Sequence, residues 1–216
     1  TFTPDKPADF TGGLVQIKTI EFPEKLFLNL SLSSSYNTFG TGKDAFTYNG
    51  GSRWLGTDDG TRALPGAVPG TRLSSADPVA LQSIGRSFSN NWVTNTTSLP
   101  LNAGFNLSFG DKYSFFGNDL LGVIASLTYS TSNEAQEIER NNYTFEGPRY
   151  EYAGRNYKNS VMIGGLFNIS YKLGLNNKFS IKNVFSQNSD DEVTNYKGSY
   201  YSNPDYRDQT SMRYVT

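Results

Sequence analysis

Apolar and polar residues alternate one by one along residues 99–109. Every odd position is apolar, and the even positions other than Pro100 are small or polar: Asn102, Gly104, Asn106 and Ser108. Because side chains alternate across a β-strand, this segment predicts a strand with one apolar face and one wet face. The wet face carries Asn, Ser and Gly rather than charges, which is typical of a transmembrane β-barrel strand with lipid outside and a watery lumen inside.

The same alternation recurs along the chain and predicts about six strands, the fifth on a weaker pattern and the sixth from position alone. They lie near residues 24–38, 98–110, 119–133, 152–173, 178–188 and 207–216. The clear segments run about 11 residues or more, whereas a tilted membrane strand needs about 9–11 and a soluble strand is usually near 5–6. Length therefore favours an all-β, transmembrane antiparallel barrel segment over the alternative, a large soluble β-sandwich with one buried face.

The predicted connections alternate between short and long. The short ones lie near 111–118 and 174–177, and the long ones near 39–97, 134–151 and 189–206. Bacterial outer-membrane barrels have short periplasmic turns and long extracellular loops, so the alternation predicts that the first strand runs outward. The short connections carry turn residues, Gly110-Asp111-Lys112 and Gly174-Leu175-Asn176-Asn177.

The first long connection has its own signals. Asp77 followed by Pro78 predicts the N-cap and first residue of one short helix. A connection of this length is usually functional.

Composition narrows the chemistry. The 216 residues include no cysteine and no histidine, and the net charge is −1. The missing side chains remove disulfides, Ser-His-Asp and Cys-His nucleophiles and most zinc sites, and the charge argues against a nucleic-acid partner. The sequence contains no run of 18 or more apolar residues, so no membrane-spanning helix is predicted. The aromatic content of 14% fits interfacial girdles at strand ends, or ordinary packing in a β-core.

Two motifs carry a family resemblance. Residues 3–19, with the turn Asp9-Phe10-Thr11-Gly12-Gly13 and the short strand Val15-Gln16-Ile17-Lys18-Thr19, resemble the end of the plug domain of TonB-dependent outer-membrane transporters. Residues 54–65 (Trp54-Leu55-Gly56, then Asp59-Gly60-Thr61-Arg62-Ala63-Leu64-Pro65) resemble the branch whose members carry an N-terminal carboxypeptidase-regulatory-like domain. The resemblance implies that residues 1–22 end a plug and that residues 23–216 are the first strands of a barrel of about 22 strands.

The same resemblance implies a function. We expect a TonB-dependent receptor in the outer membrane of a Gram-negative cell, importing a siderophore, vitamin, glycan or peptide by plug-gated active transport. Its partners would be outer-membrane lipid, a TonB-type energy-coupling protein acting through a part N-terminal to this chain, and a surface lipoprotein or larger envelope complex. No cofactor is expected.

Two other functions compete with transport. One is a barrel subunit with a structural or interaction role in a multi-protein outer-membrane complex for secretion, motility or lipoprotein docking. The other is an outer-membrane protease or lipase; these generally use histidine, so we expect no enzyme.

The candidate ligand-binding residues are loop side chains that combine a rigid ring or a guanidinium with a polar tip: Arg53, Trp54, Arg62, Trp92, Tyr150 and Tyr200. Neighbouring loop aromatics are Tyr143, Tyr152, Tyr196 and Tyr201. The alternative is that these aromatic residues pack on one another. Arg53 and Arg62 are expected to pair with Asp58 or Asp59, and less so to meet an anionic ligand.

Acidic loop residues are the weak candidates for a metal site. Asp58, Asp59, Asp190 and Asp191, with Glu192, offer the oxygen ligands that hard cations such as calcium prefer. A solvated acidic loop is the favoured interpretation, so no metal site is predicted.

Overall fold

The structure, a computed structural model, describes residues 19–70, 72–73, 77–88, 93–115, 119–202 and 208–215. Its elements, in chain order, are β1 (Phe27–Ser35), β2 (Asp44–Tyr48), α1 (Pro78–Ser87), β3 (Thr94–Ser98), β4 (Asn102–Ser114), β5 (Leu120–Thr144), β6 (Gly147–Leu173), β7 (Asn177–Tyr200) and β8 (Asp208–Val215). The all-β class predicted from the alternation is confirmed. Among the described helices, none has the length and apolarity to cross a membrane.

Six strands form one antiparallel sheet in the order β1-β4-β5-β6-β7-β8. Within the connection from β1 to β4, β2 and β3 pair as a separate two-stranded antiparallel sheet, here called the β2–β3 hairpin although the long segment between its strands contains α1. Each later strand pairs with its neighbour in sequence. The sheet is therefore a meander in which only the first connection is long.

Register turns the alternation into two chemically different faces. One row across the sheet is apolar and defines the apolar face: Leu30, Leu107, Leu127, Gly165 and Phe185. The next row is small or polar and defines the polar face: Ser31, Asn106, Thr128, Gly164 and Ser186. The Asn106 amide donates to the Thr128 hydroxyl along this row, at 2.6 Å. The pattern is less regular on β5, β6 and β7: Ile124, Leu166 and Val184 lie on the polar face, and Asn183 lies on the apolar face.

The apolar face has two parts that differ in exposure. We call the lower part the belt: residues 121–129 of β5 and their partners on the same face. There, Leu30 is 64% exposed and Phe185 is 56% exposed. We call the upper part, from Thr131 to Ala135 of β5 with its partners, the capped region. There, Asp191 is 8% exposed and Val193 only 2%.

The hairpin of β2 and β3 provides the small hydrophobic core over the capped region. Ala45 and Leu99 are buried with Tyr157, and Phe46 meets the Tyr157 ring edge-on at 5.7 Å between centroids. The predicted helix is confirmed as α1, with Pro78 in its first turn and the Asp77 carboxylate accepting from the Val79 amide at 3.2 Å. None of its residues is buried.

The segment just before β1 lies against the lower end of the polar face. Glu21 forms ion pairs with Lys178 and with Lys182, the latter at 2.5 Å. A Cβ on Gly122 would lie 2.4 Å from the Glu21 carbonyl oxygen, so only glycine lets the segment approach this closely. The Lys178 hydrogen bond, followed by that from Lys182, lowers the pKa of Glu21 from 4.5 to about 2.

Three connection predictions are wrong. Residues Gly110-Asp111-Lys112 lie within β4, where the ladder to β5 continues through the pair Lys112 and Gly122. Residues 134–151 are mostly strand closed by a turn at 145–146, and residues 189–200 belong to β7. The strict alternation of short and long connections is therefore not observed. The turn predicted after β6 is present, with Gly174 at a φ of 62°.

Cross-strand polar contacts explain why these strands continue past the belt. Arg155 pairs with Glu137 at 3.6 Å, and the Asn156 amide donates to Glu192 at 2.7 Å. Such cross-strand pairs stabilise strand pairing where neither face of the strand is uniformly apolar, so the alternation of apolar and polar residues ends before β5, β6 and β7 do.

Candidate functional site

The residues chosen from the sequence fall into two clusters on opposite faces of the sheet. Arg53, Trp54, Arg62 and the acidic residues beside them belong to the cap loop, which we define as residues 49–62. The cap loop lies on the upper part of the apolar face. Tyr150 and Tyr200 lie on the upper part of the polar face. Trp92 and the plug-like residues 1–18 lie outside the described residues.

Backbone turns give the cap loop its shape. The Ser52 amide donates to the Thr57 carbonyl at 2.7 Å, and the Gly56 amide returns to the Ser52 carbonyl at 2.8 Å. Gly56 has a φ of 61°, and a Cβ there would lie 2.6 Å from the Cβ of Ser189. The position therefore needs glycine for both its conformation and its contact with β7.

The two acidic residues of the cap loop stabilise turns. The Asp58 carboxylate accepts from the Gly60 amide at 3.2 Å, and the Asp59 carboxylate accepts from the Thr61 amide at 2.9 Å. The Thr61 hydroxyl, then its amide, lowers the pKa of Asp59 from 3.8 to about 2. The prediction that Arg53 and Arg62 pair with Asp58 or Asp59 is wrong, because these two carboxylates accept hydrogen bonds from backbone amides of their own turns.

Both arginines instead face a carboxylate on the sheet. Arg62 lies 3.7 Å from Asp191 and Arg53 lies 4.0 Å from it, atom to atom, and the Asp191 side chain is 8% exposed. Burial raises the pKa of Asp191 above its ordinary value, while the Tyr48 hydroxyl and the charges of Arg62 and Arg53 act in the opposite direction. Arg62 also donates to the Gly50 carbonyl at 2.5 Å.

Two further contacts tie the cap loop to the top of the belt. The Tyr129 hydroxyl donates to the Trp54 carbonyl at 2.6 Å, and the Gln187 amide donates to the Gly56 carbonyl at 2.8 Å. Tyr129 and Gln187 lie on one row across Ile163. The Trp54 residue itself is 67% exposed.

Asp190 and Asp191 are adjacent but have opposite surroundings. Asp190 lies on the polar face, where it accepts from the Ser160 hydroxyl at 2.7 Å and pairs with Lys158 at 3.0 Å. The Ser160 hydrogen bond is the main cause that lowers the pKa of Asp190. Because strand alternation separates the two carboxylates, they do not form one acidic site. Within the described residues, no group of three His, Cys, Asp or Glu side chains is arranged to hold a metal ion.

The second cluster is a run of four tyrosines, which we call the tyrosine ladder: Tyr150, Tyr152, Tyr196 and Tyr200. The Tyr150 and Tyr200 rings stack at 5.8 Å between centroids with an interplanar angle of 18°. Tyr152 lies 5.5 Å from Tyr150 and 6.4 Å from Tyr196. The alternative that the sequence left open, aromatic residues packing on one another, is thus observed for these four.

Arginines and glycines complete the ladder. Arg140 lies over the Tyr150 ring at 5.7 Å, and Arg149 lies over the Tyr200 ring at 5.9 Å. A Cβ on Gly154 or on Gly198 would lie 1.9 or 2.0 Å from a backbone oxygen of the neighbouring strand. These two glycines stand opposite Tyr196 and Tyr152, respectively.

The remaining loop aromatics form a separate contact. Tyr201 and Tyr143 donate to the Glu151 carboxylate at 2.7 and 2.9 Å, and these bonds lower the pKa of Glu151, Tyr201 being the larger cause. Alternation along β6 puts Glu151 on the face opposite to Tyr150 and Tyr152.

Sequence reasoning missed several members of both clusters. Tyr129 and Gln187 lie in strands and have no loop signal, so the partners of the cap loop were not identified. The ladder did have a signal: Tyr152-Ala153-Gly154 and Tyr196-Lys197-Gly198 repeat a Tyr-x-Gly pattern on two strands that pair antiparallel. Arg140 and Arg149, which lie in β5 and β6, were not selected.

No protein-family model matches this chain, and comparisons with curated proteins and with solved structures found no similar protein.

Proposed function

We propose that this chain is part of the wall of a TonB-dependent outer-membrane β-barrel receptor, which binds a scarce nutrient and imports it by plug-gated active transport. One observation carries the proposal. The apolar side chains of β1 are exposed, with Leu28 at 69% and Leu32 at 75%, while the β1 residues facing the other way, Asn29, Ser31 and Ser33, are small and polar. A sheet that exposes leucine on one face and hydrates the other is suited to separating lipid from a watery lumen.

The height of the belt supports a membrane. From Leu121 to Tyr129, the apolar face of β5 spans nine positions, with Ile163 to Tyr171 opposite on β6. The eight rises between these nine residues, at about 3.4 Å each and a tilt of about 40°, cover roughly 21 Å, close to the apolar band of about 25 Å in outer-membrane barrels. A soluble sandwich would need a second layer over this face, and the described residues cover only its upper part.

The segment at residues 19–23 supports assigning the polar face to the lumen. It lies on that face through Glu21 and its two lysines, where the end of a plug would enter the barrel. Under this assignment, the ends of β5, β6 and β7 near 144, 147 and 200 project outward from the cell. Coupling to a TonB-type protein would act through a plug beyond the described residues.

The tyrosine ladder would then line the outward end of the lumen. Three of its rings, Tyr150, Tyr196 and Tyr200, are partly exposed, with Arg140 and Arg149 close to two of them, while Tyr152 is 3% exposed and packs beneath. Aromatic rings with polar tips provide rigid contact area at low entropic cost, which suits capture of a dilute ligand.

Membrane residence is tested first. The intact protein should remain in the pellet when native membranes are washed with alkaline carbonate, and should need detergent for extraction. Recovery in an aqueous fraction without detergent would overturn the proposal.

Transport is tested by uptake in a deletion strain complemented with the intact protein. The probes are a radiolabelled ferric siderophore, cobalamin, an oligosaccharide and an oligopeptide. Uptake of one probe should depend on the gene and fall when Tyr150 and Tyr200 are both replaced by alanine, with Tyr143→Ala as the control outside the ladder. Unchanged uptake of all four, together with copurification in a fixed envelope complex, would favour the structural role and overturn transport.

A further inference from the structure

We infer that the cap loop sits at the outer boundary of the membrane and that the Trp54 side chain inserts into the lipid headgroup layer. The partner is thus the polar surface of the bilayer rather than a ligand in the lumen. This inference depends on the proposed membrane wall and adds to it a residue that sets how deeply the sheet sits.

The contacts of the cap loop follow the apolar face row by row. The Trp54 carbonyl and the Gly56 carbonyl accept from Tyr129 and Gln187, which share the uppermost row of the belt. One row higher, Gly56 meets Ser189. Two rows higher, Arg53 and Arg62 face Asp191. The cap loop therefore begins where the belt ends.

The chemistry changes at the same row. Below it, the apolar face offers exposed side chains such as Phe167 and Ile181, at 48% and 63%. Above it, the same face buries Asn133, Asn159 and Asp191, at 3%, 7% and 8%, under the cap loop and the β2–β3 hairpin. Hydrocarbon cannot be in contact with a region that protein already covers, so the boundary of the lipid lies at the Tyr129 row.

Trp54 is at that row and is 67% exposed. An indole combines a large apolar surface with one N–H donor, and tryptophan is enriched where a membrane meets water for that reason. A folded loop that brings an exposed tryptophan to the edge of an apolar belt thus matches the headgroup layer. The arginines of the loop face Asp191, and Asp58 and Asp59 accept hydrogen bonds from the amides of their own turns.

Asp191 is the positioning residue in this arrangement. Its carboxylate faces both arginines of the loop, while Asp190 next to it faces the other side. Loss of the Asp191 charge should release the loop from β7 and move Trp54 away from a fixed depth. Loss of the Asp190 charge should leave the loop in place.

The experiment measures depth directly. In the intact protein, freed of any other cysteine, Trp54→Cys or Phe167→Cys is labelled with an environment-sensitive fluorophore in phosphatidylcholine vesicles. Lipids carry a spin-label quencher either at the headgroup or near the end of the acyl chain. At position 54, quenching by the headgroup label should be roughly twofold stronger than by the deep label, and at position 167 the order should reverse.

The outcomes separate the two proposals. If position 167 is quenched by the deep label while position 54 is quenched by neither and is open to aqueous iodide, the inference fails and the membrane wall stands. If position 167 is also open to iodide, the proposed function itself fails. Asp191→Asn in the Trp54→Cys background should abolish the headgroup preference, and Asp190→Asn should keep it; equal results for the two variants would remove the positioning role of Asp191.

Discussion

The belt and the capped region lie on the same face of the same strands, yet they are built differently. In the belt, Leu127 is 45% exposed. Three rows higher on β5, Asn133 is 3% exposed, and its backbone amide donates to the side-chain oxygen of Asn102. Under the proposed membrane wall, one continuous strand changes solvent along its length. Side-chain alternation fixes the face, and the covering segments decide which part of that face meets which solvent.

The largest effect should come from placing a charge in the middle of the belt. Phe167→Arg should destabilise the folded protein in vesicles by about 2–4 kcal/mol, the cost of arginine near the middle of the bilayer. Ser186→Arg, on the polar face, is the matched control and should cost much less. Unfolding by urea in lipid vesicles gives both values. Equal costs for the two variants would mean that the belt does not face lipid.

A smaller effect is expected in the capped region, where charge is already present but paired. Asp191→Ala should cost about 2–3 kcal/mol, because two guanidinium groups lose the buried carboxylate that they share. Asp190→Ala, next to it, should cost under about 1 kcal/mol, because its pair with Lys158 is half exposed. Urea unfolding measures both costs. Limited proteolysis within residues 49–62 shows whether the cap loop is released, and equal sensitivity of the two variants would contradict this.

Two glycine substitutions distinguish the backbone conformation of the cap loop from its contact with β7. Gly56→Ala combines a positive φ with a clash against Ser189 and should cost about 2–3 kcal/mol. Gly60→Ala has a φ of 89° and nothing within 4 Å of its Cβ, so it should cost only about 1 kcal/mol of backbone strain. Thermal unfolding of the two variants gives the difference. A difference near zero would place the cap loop away from β7.

The smallest effect should be a pH dependence at the opposite end of the sheet. Since the pKa of Glu21 falls from 4.5 to about 2 on folding, its ion pairs stabilise the protein above its unfolded pKa. That stability is lost as the pH falls from about 4.5 toward 2. Glu21→Gln should therefore show a shallower loss of stability over this range, measured by unfolding at several pH values. Asp191, whose pKa is raised, should contribute in the opposite direction.

The sequence predicted the strands best where one face is uniformly apolar. The segment containing Leu127 was predicted correctly as a strand with one apolar face, because apolar residues there occupy every second position. The upper halves of β5 and β7 and the first residues of β6, 147–151, were assigned to loops, because polar positions such as Glu137 and Glu192 leave no apolar stripe to detect. Asp77 and Pro78 succeeded for a different reason: a cap is a local interaction that needs no distant partner.

The clusters were harder to predict, since they depend on residues far apart in the chain. Arg62 was expected beside Asp59, its neighbour in sequence, but it lies beside Asp191, 129 positions later. Proximity in sequence favoured the pair of Arg62 with Asp59, whereas the folded cap loop places Arg62 next to Asp191. Tyr150 and Tyr200 were chosen as separate loop residues, and the register of β6 with β7 makes them one stack.

The unequal lengths of the connections have a kinetic consequence. β5 and β6 are joined by the two residues 145 and 146, so their long ladder can close from its own turn outward. β1 must instead find β4 across the whole stretch from Ser35 to Asn102. We therefore expect β4 to β7 to zip together early and β1 to join late. Since β1 carries Leu28, Leu30 and Leu32, the last strand to join brings leucines that are among the most exposed side chains in the sheet, and it is during this delay that the sheet is most open to aggregation.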